Sequence, residues 1–486
     1  MLLGTVAGIS VGAIPGLTGA MLIALTLPLT FKMHSGKDAL VLLISMYVGS
    51  ISGGLISATL LRMPGTPASI MTTFDGFPLA RRAPGRALGL GVTASFVGGL
   101  VSWLFLVLLA RPMADLSIRL GPFDYFALIL MALVLIASVS GESLLLGLLS
   151  GVLGILASVP GTTPASGRPR WTFGLTELND GFKLLPVLIG LFAVSQLLLD
   201  VRRPPQPVQR LAIDTRGMWL RWNDWKRHAG NMLRSSLLGT WVGILPGIGA
   251  NIGSVVAYTV ARRFSRHPEE FGRGSEEGVI ASEAANNATV GGALIPLISL
   301  GIPGSVIDAV LLGALVIHDL QPGPLLFQNN PDVVYTVMAA MFVSNIAMFV
   351  IMMAAVRRLG RLLDVSPGFL LPTIGVFCVL GSYALANRVF DVWVMMGFGV
   401  LGVIMHGLKI PTAPFVIGFI LAPLAEEKLY AGLQASSGSF LPLFTRPVAA
   451  TFVVISAILF AAPFYRRGRA AFAGAPSTDG TSAESR

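Results

Sequence analysis

A carboxylate and two amides lie close together in an apolar stretch in the second half of the chain. Glu283, Asn286 and Asn287 are spaced i, i+3 and i+4 within EGVIASEAANNATVGGALIP, so a helix would carry them on one face. An ionisable residue within a membrane segment is a candidate functional residue. Glu283 could bind a sodium ion or carry a proton, with the asparagines as oxygen ligands or as donors to a substrate. The alternative is a hydrogen-bonded cluster between helices.

Proline–glycine pairs interrupt apolar stretches at four places, namely 15–16, 64–65, 246–247 and 303–304. Proline removes a backbone donor and glycine permits unwound backbone, so each pair predicts a broken helix. Such backbone is tolerated at membrane depth only where it is buried in protein or lines a wet cavity. A half-helix N-terminus suits an anion, and a C-terminal end with unwound carbonyls suits a cation. The breaks therefore predict a site for both, and the alternative is a set of packing kinks.

Small hydroxyl and amide side chains accompany the breaks and could bind a carboxylate or sodium. The candidate substrate-binding residues are Pro15, Gly16, Thr18, Gly19, Pro64, Gly65, Thr66, Pro246, Gly247, Gly249, Asn251, Ser254, Asn286, Asn287, Pro303, Gly304 and Ser305. The candidate coupling-cation residues are Glu283, Asn287 and Asp308. Asp308 is included because it is embedded in the apolar sequence GSVIDAVLLG. Asp75, in TTFDGFPLA, either takes part in the site or simply ends a helix before a loop.

The breaks recur because the chain is duplicated. The spacing G-x-x-x-G-x-x-P-G occurs at 8–16 and again at 239–247. GGLISATLLRMPGT at 53–66 likewise aligns with GALIPLISLGIPGS at 292–305. Two motifs in the same order in both halves predict two homologous repeats.

Composition defines the elements that must position these residues. The chain of 486 residues is 54% hydrophobic and 12% charged, with a mean hydropathy of +0.76. Apolar stretches long enough to cross a bilayer recur, for example at 39–61, 87–110, 122–139, 183–199, 236–261, 332–356 and 447–463. We therefore predict an all-α polytopic membrane protein with about 12 membrane segments. Several of these helices are broken at Pro-Gly.

Charge and composition divide the chain into four parts. Residues 1–200 form the first transmembrane repeat, 201–234 a basic cytoplasmic linker, 235–464 the second repeat, and 465–486 a disordered polar tail. Within the linker, Trp219, Trp222 and Trp225 recur at helical spacing among basic residues, which is typical of an interfacial helix. The alternative is a merely basic loop.

The basic loops also indicate how the repeats are oriented. Residues 80–87, the linker, 357–361 and 466–469 are basic and are expected on the cytoplasmic side, which places corresponding loops of the two repeats on opposite sides. An inverted repeat is the usual plan of secondary transporters. Two loops do not follow this rule: Arg111 and Arg119 would lie outside, and so would Arg262, Arg263, Arg266 and Arg273 if the stretch 236–261 is one complete crossing.

Several classes of protein are excluded by missing motifs. The single cysteine, Cys378, cannot form an internal disulfide, and the five histidines share no metal-ligand spacing. No hydrolase or nucleotide-binding motif is present, so neither an enzyme nor a cofactor is expected. The net charge of +10 follows from loops beside membrane spans and does not indicate nucleic-acid binding.

The motifs closely resemble the large membrane subunit of the tripartite tricarboxylate transporter family, from residue 2 to about 463. The similar segments are GILPGIGANIGS, GSEEGVIASEAANNATVGGALIPLISLGIPGS, DLQPGPLLF, TTFDGFPLARR and FCVLGSYALANRVFDVWVMMGFGVLG. This chain departs from the family pattern at Thr66, where members usually carry an acidic residue, and at Ser282, where they usually carry proline. Members also usually begin earlier, so Met1 need not be the true start.

The resemblance implies a permease of the bacterial cytoplasmic (inner) membrane that imports citrate-like di- or tricarboxylates. It implies two protein partners, a small transmembrane subunit and a periplasmic solute-binding protein, and a sodium or proton gradient as the driving force. A cation-coupled antiporter or a channel that works without a binding protein is the alternative function. The particular carboxylate, the choice between sodium and protons, and the oligomeric state are not determined by the sequence.

Overall fold

A computed structural model describes residues 1–31, 33, 35–139, 143–163, 167–201, 215–246, 249–359, 367–384 and 386–473. These residues are mostly α-helical, and the strands among them are the short antiparallel pair β1 (Gly161–Thr162) and β2 (Pro169–Arg170). Within this described part, five helices are long and apolar enough to cross a membrane, and several shorter apolar helices accompany them. The predicted all-α polytopic fold is confirmed.

The first half of the chain begins with two broken helices. These are α1 (Leu2–Ala13) with α2 (Gly19–Thr30), and α3 (Gly36–Leu61) with a 3-10 turn (Pro67–Ser69) and α4 (Ile70–Ala80). The remaining elements are α5 (Pro84–Ser117), α6 (Pro122–Val139), α7 (Leu144–Ser158), β1, β2, a 3-10 turn (Thr176–Leu178), α8 (Leu184–Leu188), a π-helical segment (Ile189–Val194) and α9 (Ser195–Val201).

The second half repeats this order. Its two broken helices are α10 (Trp222–Ile244) with α11 (Gly249–Phe264), and α12 (Glu276–Leu300) with α13 (Val306–Ile317). The remaining elements are a 3-10 turn (Pro268–Glu270), α14 (Pro324–Asn329), α15 (Pro331–Leu359), α16 (Pro367–Ala384), α17 (Val389–Gly407), α18 (Thr412–Ala435), α19 (Pro442–Thr445) and α20 (Pro447–Ala473).

Glycines at aligned positions of the two halves lie at equivalent contacts between helices. A Cβ atom at Gly12 of α1 would lie closer than 3.0 Å to the Ser50 carbonyl oxygen of α3. A Cβ at the aligned Gly243 of α10 would meet the Thr289 carbonyl oxygen of α12 in the same way. Because Ser50 aligns with Thr289, aligned residues contact aligned residues. Glycine is required at both positions because the helix backbones touch there.

One end of the bundle, called here the first end, joins the N-termini of α5, α10 and α12. The Arg86 guanidinium donates to Glu276 and to Asp224, each at 2.8 Å, and His228 lies 3.0 Å from Glu276. Arg86 lowers the pKa of the Asp224 carboxyl to about 2. This network fixes the first turns of three helices at a common level.

The opposite end, called here the second end, joins the N-termini of α3 and α15. Lys37 forms an ion pair with Asp332 at 2.6 Å. The C-termini of α2 and α13 meet there through a 3.0 Å hydrogen bond between Thr30 and His318. The C-terminus of α5 reaches the C-terminus of α12, where the Ser117 hydroxyl donates to the Ser299 carbonyl at 3.1 Å.

The helices α10 and α11 form a hairpin that enters and leaves the bundle at the first end. The Arg234 guanidinium lies 5.4 Å from the Phe264 ring, which places the end of α11 beside the early part of α10. The segment after α11 is held near α4, because Gly272 and Ser275 donate backbone N–H groups to Asp75. The prediction that Arg262 and Arg263 lie on the opposite side from the linker is therefore wrong.

The helices α1 and α2 form the corresponding hairpin at the second end. α1 runs parallel to α3, with Gly4 beside Ser45 and Gly12 beside Ser50, and α3 begins at the second end. α2 returns to that end, where Thr30 contacts His318. In the sequence, a short apolar hairpin of this kind cannot be distinguished from a single membrane-crossing helix, because both have the same length and hydropathy.

The basic linker leads directly into the second hairpin. α10 begins at Trp222, so Trp219 precedes the helix that was predicted to carry all three tryptophans. Trp219 and Trp222 are 71% and 72% exposed, whereas Trp225 is partly buried. The helix continues through the boundary drawn at residues 234 and 235 without interruption. Residues 202–214 of the linker lie outside the described residues, as does the tail from 474 onward.

The two halves interlock rather than packing side by side. The Ser95 hydroxyl of α5 bonds to Glu283 of α12, while the Ser344 hydroxyl of α15 bonds to Ser45 of α3 at 2.8 Å. Each half therefore places a long helix against the broken helix of the other half. The largest hydrophobic core cluster draws on both halves, which couples any movement of one to the other.

Candidate functional site

Within each half, the two breaks contact each other. A Cβ on Gly65 would collide with the carbonyl oxygen of Gly12, at the end of α1. A Cβ on the aligned Gly304 would lie 2.9 Å from the carbonyl oxygen of Gly243, at the end of α10. The glycine of each second break is thus fixed by close approach to the C-terminal backbone of the first helix.

The breaks of the two halves also meet each other. Within the second half, a Cβ on Gly249, which has a φ of +66°, would lie 3.6 Å from Ser305 Cβ, and two further contacts join this half to the first. A Cβ on Gly19 would lie 3.1 Å from Ile307 Cδ1, in the first turn of α13. The Ser254 hydroxyl of α11 donates to the Ala68 carbonyl at 3.2 Å. We call this convergence of the four interrupted segments the break cluster.

Four helix N-termini belong to the break cluster. Thr18 caps α2 by accepting the Met21 backbone N–H at 3.2 Å, and Ser305 caps α13 by accepting that of Asp308 at 3.3 Å. Thr66 begins the turn that leads into α4, and Gly249 begins α11. Helix N-termini carry partial positive charge and free N–H groups, so their convergence provides an environment for an anion.

The structure brings together most of the predicted substrate-binding residues. Those of the break cluster are Pro15, Gly16, Thr18, Gly19, Pro64, Gly65, Thr66, Pro246, Gly249, Ser254, Pro303, Gly304 and Ser305. Asn251 lies in the first turn of α11 and is exposed. Gly247 lies outside the described residues.

Asp308 lies in the break cluster with one carboxylate oxygen unpaired. The Ser305 hydroxyl donates to its Oδ2 at 2.6 Å, and the Tyr47 hydroxyl of α3 lies 3.3 Å from the Ser305 hydroxyl. Asp308 is fully buried, and its Oδ1 has no hydrogen-bond partner. The three residues supply a carboxylate and two hydroxyl oxygens at the N-terminus of α13.

Asn286 is also buried without partners. Its side chain is fully inaccessible, and neither its amide nitrogen nor its amide oxygen has a hydrogen-bond partner. A buried amide in this condition costs about 1–3 kcal/mol. In the alignment of the repeats Asn286 corresponds to Tyr47, so each half places a polar side chain at this position of its long broken helix.

Glu283, by contrast, has both carboxylate oxygens satisfied. Thr72 of α4 donates to Oε1 at 2.5 Å, and Ser95 of α5 donates to Oε2 at 3.0 Å. Thr72 also donates to the Ser282 hydroxyl at 3.1 Å. The glutamate is fully buried and links three helices near the first end of the bundle.

Asn287 takes part in the packing of α3 against α12. It accepts a 2.6 Å hydrogen bond from the Ser52 hydroxyl and donates at 3.1 Å to the backbone carbonyl of Glu283. The side-chain partners of Glu283 and Asn287 differ from those of Asp308. The predicted coupling-cation residues therefore fall into two groups.

Asp75 anchors the loop that precedes α12. Its Oδ1 accepts the backbone N–H groups of Gly272, Gly274 and Ser275 at 2.8–2.9 Å, and its Oδ2 accepts the Tyr258 hydroxyl at 2.7 Å. Of the two alternatives left open for this residue, the one that placed it at the end of a helix is wrong, since Asp75 lies in the middle of α4, and its role in holding the opposite half was not foreseen. A long-range bond to backbone leaves no signal in a single sequence.

Arg62 is a residue of the break cluster that sequence reasoning missed. It ends α3 in the left-handed conformation, with φ +57°, and its side chain is exposed. The aligned residue in the second half is Gly301, with φ +72°, for which this conformation carries no steric cost. The alignment contained the signal, because it sets an arginine against a helix-terminating glycine.

No group of three or more histidine, cysteine, aspartate or glutamate side chains that could hold a metal ion occurs among the described residues. The chemistry available is that of oxygen ligands and helix ends. Carboxylate, hydroxyl and backbone carbonyl oxygens suit a hard cation, and helix N-termini with amide donors suit a carboxylate. The break cluster contains both kinds of group.

Comparisons with known proteins agree with this architecture. Residues 1–417 match the model of the tripartite tricarboxylate transporter TctA family. A protein of Agrobacterium vitis described as an uncharacterized 52.8 kDa protein in the TAR-I ttuC' 3' region is 33% identical over 456 residues, which cover 93% of this chain and 90% of the relative. A second protein of that organism, described as uncharacterized in the TAR-II ttuC' 3' region, is 32% identical over 234 residues, 48% of this chain and 97% of the relative. No solved structure matches the chain.

Proposed function

The chain belongs to the tripartite tricarboxylate transporter TctA family, a family of membrane transporter components, and on this premise we propose that it is the permease of a binding-protein-dependent secondary transporter. It imports di- or tricarboxylates of the citrate type. Its partners are a small transmembrane subunit and a periplasmic solute-binding protein, and its location is the bacterial inner membrane. It carries out no chemical conversion of its substrate.

The convergence of four helix N-termini in the break cluster is the observation that carries the proposal. An exposed helix N-terminus stabilises an anion by roughly 0.3–1 kcal/mol, and partly buried geometries by more. Several termini must act together to hold a substrate with two or three carboxylates. The exposed Arg62 adds a full positive charge at one of the breaks. Thr18, Thr66 and Ser305 supply hydroxyl donors beside these termini.

Uptake is coupled to a sodium or proton gradient. Of the predicted coupling-cation residues Glu283, Asn287 and Asp308, we retain Asp308, because one of its carboxylate oxygens has no protein partner and a buried carboxylate in a membrane segment requires a compensating cation or proton. The side chains of Glu283 and Asn287 are bonded to other groups of the protein. The C-terminal backbone of α1 and α10, which reaches the breaks at Gly12 and Gly243, supplies carbonyl oxygens of the kind that bind a transported cation.

The repeats have inverted topology, and the first end of the bundle faces the cytoplasm. Support comes from the hairpins, since α1 and α2 open toward the second end and α10 and α11 toward the first. Support for the sidedness comes from the basic residues at the first end, which are Arg81, Arg82, Arg86, Arg221, Lys226, Arg227, Arg234, Arg262 and Arg263. Alternating access then exposes the break cluster to each side in turn.

Uptake of radiolabelled citrate into proteoliposomes tests the proposal. The vesicles contain this chain and its small membrane partner, with the binding protein added outside, and sodium and proton gradients are imposed separately. We expect saturable uptake that requires the binding protein and one of the gradients. If citrate does not bind to the binding protein, a thermal-shift screen of that protein against a panel of carboxylates identifies the substrate to use in its place.

Variants of the two carboxylates provide the internal comparison. We expect uptake to fall sharply in Asp308→Asn and less in Glu283→Gln, whose carboxylate is bonded to Thr72 and Ser95, with protein that still reconstitutes and folds. Flux that is independent of the binding protein and of both gradients would overturn the proposal. That outcome would favour a channel or a cation exchanger.

A further inference from the structure

The alignment of the repeats relates two sets of polar residues that come from corresponding positions of the two halves. The first consists of Tyr47, Ser305 and Asp308, and we call it the acidic group. The second consists of the residues aligned with these, namely Asn286, Thr66 and Ser69, and we call it the neutral group. In each group one residue comes from the long helix of one half and two come from the second break of the other half.

Each group contains a pair of residues at the start of a helix, but the hydrogen bonds within the two pairs differ. The Ser305 hydroxyl accepts the Asp308 N–H and donates to its carboxylate. In the first half the Ser69 hydroxyl accepts the Thr66 N–H at 3.3 Å and donates to the Thr66 carbonyl at 2.8 Å, and the Thr66 hydroxyl has no partner. The groups therefore share their place at a break and differ in chemistry.

Only the acidic group contains a negative charge. Asp308 is fully buried, and its Oδ1 has no partner within the protein. Its oxygen neighbours are the Ser305 hydroxyl at 2.6 Å and, through that hydroxyl, Tyr47 at 3.3 Å. Gly304 lies against the Gly243 carbonyl, so C-terminal helix carbonyls are also close to this group.

We propose that Asp308, Ser305 and Tyr47 form the binding site for a sodium ion, and that the neutral group binds a carboxylate of the substrate through the Asn286 amide. The inference rests on the proposed function and assigns its coupling ion. A sodium ion at Oδ1 of Asp308 supplies a partner for the carboxylate oxygen that has none within the protein. A carboxylate beside Asn286 accepts from an amide that otherwise has no acceptor.

Glu283 does not belong to this sodium site. Each of its carboxylate oxygens accepts a hydrogen bond, from Thr72 and from Ser95, whereas Oδ1 of Asp308 accepts none. Its removal is expected to affect the association of α4, α5 and α12. Glu283→Gln therefore serves as a control for removing a buried carboxylate outside the sodium site.

Sodium binding can be measured without transport. The full chain is purified in detergent, and its melting temperature is followed by tryptophan fluorescence while sodium chloride replaces choline chloride at constant ionic strength. A ligand that binds only the folded state raises the melting temperature in a saturable manner. We expect such a rise for the wild-type chain, for Glu283→Gln and for Asn286→Leu.

The variants of the acidic group should respond differently. Asp308→Asn should melt at the same temperature in sodium and in choline. Ser305→Ala and Tyr47→Phe should weaken the apparent sodium affinity by roughly tenfold, the usual loss when a supporting group is removed from a metal site. These two milder variants keep the test decisive if Asp308→Asn does not fold, because the melting transition in choline reports folding directly.

A sodium-dependent rise in Asp308→Asn equal to that of the wild-type chain would overturn the site. So would the absence of any specific effect of sodium on the wild-type chain. Either result is distinguishable from failure of the proposed function. Binding-protein-dependent uptake driven by protons alone would leave the transporter intact and remove the sodium site, whereas sodium binding without any uptake would do the reverse.

Discussion

The N-terminal half of α12 and the break cluster both bury carboxylates, but only the first region satisfies them. Near the first end, Asp75 accepts four hydrogen bonds and Glu283 accepts two, all from groups of the protein. In the break cluster Asp308 has an unpaired oxygen, and one turn after Glu283 on α12 the Asn286 amide has no partner at all. The two regions are equally buried, so burial does not separate them.

The difference indicates which polar residues hold the fold and which await a ligand. A buried polar group without a partner costs about 1–3 kcal/mol, so a folded protein retains few of them. Where several occur together beside unwound backbone, a bound species supplies the missing bonds. The satisfied carboxylates connect helices that must remain together, whereas the unpaired oxygens of Asp308 and Thr66 lie where the broken helices meet.

The largest expected effect on stability is that of Asp75→Ala. The substitution leaves three backbone N–H groups before α12 and the Tyr258 hydroxyl without their acceptor. We expect the free energy of unfolding to fall by about 3–5 kcal/mol. The measurement is an equilibrium titration with SDS in mixed micelles, followed by tryptophan fluorescence.

Two milder variants separate the bonds of Asp75. Asp75→Asn keeps an oxygen for the backbone donors, and Tyr258→Phe removes a single hydroxyl. Each should cost about 1–2 kcal/mol. If Asp75→Ala were no more destabilising than Tyr258→Phe, the bonds to the loop at 272–275 would contribute little, and the first region would not be the anchor described above.

A smaller loss is expected for Glu283→Leu. Thr72 and Ser95 lose their acceptor, but both hydroxyls can turn toward nearby backbone carbonyls, and the cost of burying a charge disappears. We expect a loss of about 1–3 kcal/mol in the same titration. The sodium affinity of the folded protein should be unchanged, and a loss of sodium binding with wild-type stability would assign Glu283 to the ligand site instead.

Much of the fold could be predicted from the sequence, because its signals are local. Apolar stretches and proline–glycine pairs located the broken helices, and the repeated motifs aligned the two halves. The hairpin course of α10 and α11 could not be predicted, because residues 236–261 have the length and composition of one complete crossing. The contact between Arg234 and Phe264 shows instead that the chain turns back and that α11 ends beside the start of α10.

The candidate site was predicted in part for the same reason. The glycines, prolines and small hydroxyl residues of the breaks can be recognised from their residue types and spacing. Tyr47 cannot be recognised in this way, because a tyrosine within an apolar helix is usually a packing residue and its neighbour Ser305 is far away along the chain. Nor does spacing reveal which buried group is satisfied, since Asn286 and Asn287 are adjacent and only Asn287 has partners.

Those adjacent asparagines give the smallest and most discriminating prediction. Leucine has the branching of asparagine but is larger, so both substitutions carry a similar packing cost and their difference reports the hydrogen bonds. Asn287→Leu also removes the bonds to Ser52 and to the Glu283 carbonyl, whereas Asn286→Leu removes no bond and relieves an unpaired amide. Without ligand, Asn287→Leu should therefore be the more destabilising by about 1–3 kcal/mol. The SDS titration of both variants measures this difference. Equal losses would mean that Asn286 is held by the protein after all, whereas a smaller loss at Asn286 would identify an amide retained for its ligand at the expense of stability.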